Sequence, residues 1–190
     1  MKNVLLLSGN PKPQSFVQRL CDQYQAGAEA HANIRRFNLA EMAFNPSLDS
    51  GYDAIQALEP CLASFQEALA WADHLVIMAP VWWGGLPAKL KGIFERTFLP
   101  NVTFKYEEGE LEPRQLLKGK TARIVLTMDT PADYTEDQAR PVIEQLDRFT
   151  LQFCGVGAAK VSLFGSVLLA DETQRAGWLQ EVRALAAECR

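Results

Sequence analysis

Residues 80–87 read Pro-Val-Trp-Trp-Gly-Gly-Leu-Pro, two tryptophans beside two glycines directly after a short apolar run. A turn needs one glycine, and a core takes its tryptophans inside regular elements, so turn chemistry and packing leave this mixture unexplained. A planar heteroaromatic ring explains it. Gly84 and Gly85 let main-chain donors approach the polar edge of such a ring, while Trp82 and Trp83 offer flat apolar walls with one N–H each. The plainer alternative puts one tryptophan in the core and the other over the sheet edge.

Two other segments carry similar signals. Ser8-Gly9-Asn10-Pro11 runs on to Ser15-Phe16-Val17-Gln18, an S-x-x-Q capping box that opens a helix. The free N–H groups and partial positive charge there suit an anion, and the hydroxyls of Ser8 and Ser15 can add donors to a phosphate. Ser15 is equally accounted for as a helix cap with nothing bound. The loop is neither G-x-G-x-x-G nor G-x-x-x-x-G-K-[ST], so it offers no dinucleotide turn and no P-loop. Asp129, Thr130 and Tyr134 lie on a third segment placed to close over the same ring, although Asp before Thr-Pro also suits a turn. His31 and His74 stand beside strands, away from these loops, and read as structural.

The elements that must hold these loops alternate. Val4–Leu7 reads as a buried strand and Phe16–Ala30 as a helix; Ile34–Asn38 is a second strand, followed by an irregular stretch and a helix over Leu58–Trp71. Residues 74–80 and 122–128 are short continuous apolar runs, as in strands covered on both faces. A helix follows each, with Pro87 and Pro141 at the first helical positions. Residues 158–164 supply a fifth strand and Asp171–Glu188 a closing helix. The pattern predicts an open parallel sheet with helices on both faces, one domain over residues 1–190, and ligands beyond the carboxyl ends of the strands. The irregular span at 99–119 exceeds ordinary connections and suggests a functional excursion.

Composition removes several classes. With 48% apolar and 22% charged residues the chain has ordinary globular usage. Its net charge of −4, with no Lys/Arg run longer than Arg35–Arg36, argues against nucleic acid and anionic membranes. No apolar stretch suits a signal peptide or a membrane span. Cys21, Cys61, Cys154 and Cys189 lack C-x-x-C or metal-ligand spacing, which suits reduced thiols in a cytoplasmic protein and no metal site.

The segments SGNPKPQSF, NLAEMAFNP, WADHLVIMAPVWWGGLPAKLKGIFERTF and LLKGKTARIVLTMDTP, in that order, resemble the flavodoxin-like NAD(P)H:quinone oxidoreductases, the family of DT-diaphorase and its bacterial relatives. The resemblance implies a flavodoxin-like α/β three-layer sandwich with a five-stranded parallel sheet. It implies a bound flavin, FMN or alternatively FAD, reduced by NAD(P)H and reoxidised by a quinone in a ping-pong scheme. By position, Ser8, Asn10, Gln14, Ser15 and Phe16 would hold the flavin phosphate. Pro80, Val81, Trp82, Trp83 and Gly84 would line the isoalloxazine, and Thr127, Met128, Asp129 and Thr130 its pyrimidine side. The family's site lies at a homodimer interface, and the long excursion would supply Phe104 and Tyr106 to the neighbouring subunit. Tyr134 or Tyr106 would donate a hydrogen bond to the acceptor oxygen. Two other activities share this pattern: a flavin-binding ancillary subunit of a potassium efflux system, and a one-electron carrier like flavodoxin. A carrier would want a more strongly charged docking face than this chain has.

Overall fold

The computed structural model describes residues 1–188, and Cys189 lies outside them. Five parallel strands form one sheet in the order β2-β1-β3-β6-β7: β1 Lys2–Ser8, β2 Ala32–Asn38, β3 His74–Pro80, β6 Thr121–Thr127 and β7 Lys160–Phe164. Alternate residues of each strand face opposite ways, so one chain of apolar residues serves two cores. Leu5, Leu7, Leu75, Ile77, Ile124 and Leu126 meet α2 (Pro60–Trp71), α3 (Ala88–Thr97) and α4 (Thr135–Ile143). Val4, Leu6, Val76, Met78 and Val125 meet α1 (Phe16–Ala28) and α5 (Glu172–Glu188). Burial on both faces is why the central strands read as unbroken apolar runs.

The chain passes from β1 to β2 on one side and then crosses to β3 on the other. That reversal opens a crevice above the carboxyl ends of β1 and β3, where the loops after both strands stand side by side. The excursion at 99–119 folds back on itself as a two-stranded ribbon, β4 Phe104–Lys105 against β5 Arg114–Gln115.

Both helix starts expected at prolines are displaced. Pro87 is the N-cap of α3 and lies one position before the helix. Pro141 lies inside α4, which begins at Thr135 after a 3-10 turn at Ala132–Tyr134. Acidic Glu136 and Asp137 in the first turn favour that earlier start through the helix dipole. The helix then passes into a π-helix over Glu144–Gln152.

His74 begins β3 at the opposite, amino-terminal edge of the sheet. Its Nδ1 lies 2.7 Å from Thr121 Oγ1, and burial, reinforced by the charges of Lys2, Arg123 and Lys160, pulls its pKa down to about 4. The imidazole is therefore neutral in the folded protein, whereas an unfolded chain takes up a proton near the ordinary value of about 6.5. Between those pH values the unfolded state binds more protons, so stability falls as the pH drops from 6.5 towards 4. The full loss is about 3 kcal/mol. Denaturant titrations at pH 7 and pH 4.5 should show that slope, and His74→Phe should remove much of it; an unaltered slope would assign the acid sensitivity elsewhere.

Candidate cofactor and acceptor site

The three loops beyond the strand ends are continuations of the sheet ladder rather than free segments. Gly9 N–H donates to Met78 O at 2.7 Å and Val81 N–H to Thr127 O at 2.8 Å, joining the first loop to the second and the second to the third. The third loop is tied to the β7–α5 connection by Met128 N–H to Phe164 O, Val167 N–H to Met128 O and Leu168 N–H to Asp129 Oδ1 at 2.7 Å. Asp129 is thus a brace between two loops.

Trp82 and Gly85 exchange both main-chain hydrogen bonds at 2.9 Å around Trp83 (φ 53°) and Gly84 (φ 67°). Two positive φ values make a type I′ turn, a geometry that Gly84 adopts freely and a tryptophan does not. The backbone strain at Trp83 is of order 1–3 kcal/mol. What the strain achieves is projection: Trp83 is 103% exposed, fully clear of the fold, while Trp82 is 42% exposed and leans into the crevice.

That crevice, about 250 Å³, is lined by Asn10, Ser15 and Phe16 from the first loop, Pro80, Val81 and Trp82 from the second, and Thr127, Met128 and Asp129 from the third. Gln14 lines an adjoining groove that shares Lys12, Ser15, Phe16 and Arg175 with it. Ser15 caps α1, its Oγ accepting Gln18 N–H at 3.2 Å, which leaves the other N–H groups of the first turn facing the loop. Ser8 does not reach the crevice; it is buried beneath it and its hydroxyl meets the Cys21 thiol. Burial pushes that thiol up to about 12, so Cys21 is inert. Tyr134 is exposed on the 3-10 turn that follows Thr130.

Arg175 is the residue that sequence reasoning missed. It stands on α5, one turn before Trp178, whose ring stacks on Phe164 and touches Phe16 at centroid distances of 5.3 and 5.8 Å. Those contacts, and the close approach of α1 to α5 at Gly27, where a Cβ would lie 2.5 Å from Arg183 O, bring the start of α5 over the first loop. Arg175 Nη2 donates to Val167 O at 3.0 Å, and its Nε is buried with no partner among the described residues. A guanidinium donor left over beside a helix N-terminus is a fit for an anionic group. The far end of the crevice, with Pro80, Val81, Trp82 and Met128, is apolar and suits a flat ring.

A second and larger cavity, about 460 Å³, lies elsewhere, between α3, the β4–β5 excursion and the π-helix. Its lining includes Tyr52, Phe94, Phe98, Phe104, Tyr106 and Phe153. Tyr106 belongs to this aromatic groove, which shares no lining residue with the crevice, and Tyr134 lines neither.

Known proteins share this fold. A family model described as Flavodoxin-like fold matches residues 2–186. The chain is 27% identical to an uncharacterized NAD(P)H oxidoreductase of Haemophilus influenzae, over 94% of this chain and 91% of that protein. It is 30% identical to an FMN-dependent NADH:quinone oxidoreductase of Beijerinckia indica, over 82% and 84%. Among solved structures, an NAD(P)H:quinone oxidoreductase from Methanothermobacter marburgensis has the same fold, with a TM-score of 0.79 at 20% identity over 100% of this chain and 99% of that one.

Proposed function

The chain belongs to the flavodoxin-like family whose model spans residues 2–186, with NAD(P)H:quinone oxidoreductases among its relatives, and on that premise we propose that it is a flavin-dependent NAD(P)H:quinone oxidoreductase. The observation that supports this most is the crevice at the sheet's switch point, which is cationic and donor-rich at one end and flat and apolar at the other. FMN is the cofactor and NADH the donor, following the FMN-dependent NADH:quinone oxidoreductases among the relatives. The 190 residues act as one flavin-binding domain in the cytoplasm.

A flavin held in the crevice would supply the redox chemistry, two-electron hydride transfer from the nicotinamide to the acceptor. The chain supplies position and field. The first turn of α1, Ser15 and Arg175 hold the phosphate; Asn10 shapes the loop by accepting Lys12 N–H at 2.9 Å. Pro80, Val81 and Trp82 would wall the ring, and the turn at Trp83 and Gly84 would stand at the mouth of the crevice. Gln14 would extend the phosphate end, and Thr127, Met128, Asp129 and Thr130 would flank the pyrimidine side. Donor and acceptor use that open face in turn.

Tyr106 and Phe104 lie in a groove separate from their own crevice, and on this reading they would serve the flavin of a second copy. On this reading the working unit is a homodimer, and Tyr106 of one protomer, or Tyr134, would donate a hydrogen bond to the acceptor oxygen.

Anaerobic spectroscopy tests the proposal. Added FMN should bind and show a perturbed visible band; NADH should bleach it, and a quinone should restore it. Tyr106→Phe and Tyr134→Phe should slow only the reoxidation step. A chain that leaves both FMN and FAD free in solution has the fold without the chemistry, and the proposal fails.

A further inference from the structure

α4 and the π-helix that continues it bury Ala139, Val142 and Leu146, and next Leu151 and Cys154. An α-helix that buries Leu146 would bury position 149 or 150 next, and then 153. The sequence offers Phe149 and Phe153 for those places. The π register inserts its extra residue just here, takes Leu151 into the core instead, and leaves Phe149 64% and Phe153 39% exposed. Thr150 Oγ1 donates to Gln145 O, five residues back, at 2.7 Å, a bond that follows the same register. Departures of this kind inside helices recur at functional sites.

Both rings turned out of the core enter the aromatic groove. Phe153 meets Phe104 edge to face at 5.1 Å, and Phe104 meets Tyr106 in the same way at 5.8 Å. Phe149 stands beside them on the groove wall, with the Arg148 guanidinium 5.2 Å from its ring centroid.

We infer that Phe149 limits the thickness and breadth of the acceptor, as part of the wall that one protomer lends to the flavin site of a second copy of this chain. The inference rests on the dimeric quinone reductase reading above. Phe104, Tyr106, Phe149 and Phe153 line one groove, so a wall that Tyr106 forms over the neighbour's flavin includes Phe149. A rigid ring at its rim leaves room for a slim planar quinone of one or two fused rings and meets a third.

The test is a specificity ratio, measured on the flavin-loaded full chain with NADH: kcat/KM for phenanthrenequinone, three fused rings, over kcat/KM for naphthoquinone, two. A ratio cancels any difference in active fraction between preparations. Phe149→Ala should raise it about tenfold or more, the scale at which added pocket volume discriminates ligands. Phe149→Tyr, which keeps the ring, should hold the wild-type ratio, and Phe149→Leu serves if the alanine variant fails to fold. A ratio that stays within about twofold of wild type in the shortened variants overturns the inference while the quinone reductase reading stands. A wild-type chain that turns over quinones yet stays monomeric at assay concentration by light scattering also overturns it. One that binds no flavin overturns both.

Discussion

Replacing Arg175 with methionine weakens FMN binding by roughly ten- to a hundredfold, the loss expected when a charge-assisted hydrogen bond to phosphate is removed. The residue's buried Nε has no partner among the described residues, and its guanidinium stands where the crevice and the adjoining groove meet at the N-terminus of α1. Methionine keeps most of the aliphatic stem, so packing beside Trp178 survives while the charge does not. Arg175 Nη2 also donates to Val167 O, and the β7–α5 loop loosens somewhat in the variant. A titration of apoprotein followed by fluorescence quenching measures the affinity. Arg175→Lys should recover part of it, since lysine binds phosphate as a point charge without the fork geometry. Raised salt should narrow the gap between wild type and Arg175→Met, because screening weakens the interaction that the variant lacks. Equal dissociation constants for wild type and variant, with both folded, would remove Arg175 from the site and leave its orphan nitrogen without a function.

Arg96→Met costs about 3 kcal/mol of stability, through a different part of the fold. Arg96 lies on α3 and is 1% exposed. It donates to Asn45 O, to Ala57 O at 2.8 Å and to Glu59 Oε2 at 3.0 Å. Glu59 in turn accepts Asn45 N–H at 2.9 Å. That backbone donor first, and Arg96 with it, holds the Glu59 carboxyl below the usual range. One buried cation thus gathers both ends of the long irregular connection between β2 and α2 and pins it against α3. Removing it leaves two carbonyls and a carboxylate short of a donor, and Tyr52, carried on that connection, loses its place on the aromatic groove. A melting temperature lower by about 6–12 °C is expected for a chain of this size. Binding of FMN should change far less, as the crevice takes no residue from this connection. A melting temperature within about 2 °C of wild type would mean that water replaces the guanidinium at little cost.

The folded-state architecture was legible because parallel strands covered on both faces must be apolar throughout, and residues 74–80 and 122–128 say so without ambiguity. Ser15 announced its helix by the Ser-x-x-Gln spacing alone, since a cap is a local bond. Pro141 misled for the opposite reason. A proline at the first turn and one inside a helix satisfy the same local rule about its missing N–H, and only the helix's packing decides between them. Farther along, the π register seats Leu151 in the core, where an α-helix continued from Leu146 would have brought Phe149 or Thr150.

Sequence by itself determined the alternation of strands and helices, the side of the sheet on which ligands sit, and the segment of tryptophans and glycines that draws attention to a flat ligand. These depend on patterns between near neighbours, where residue type and spacing act directly. Only the tertiary structure decided that Ser8 is buried under the crevice, that Arg175 from the last helix stands over the first loop, and that Tyr106 lies in an aromatic groove apart from the crevice while Tyr134 is exposed outside both. Those placements depend on how helices at opposite ends of the chain pack together, as α1 and α5 do at Gly27 and Trp178, and no local pattern carries the distance between them.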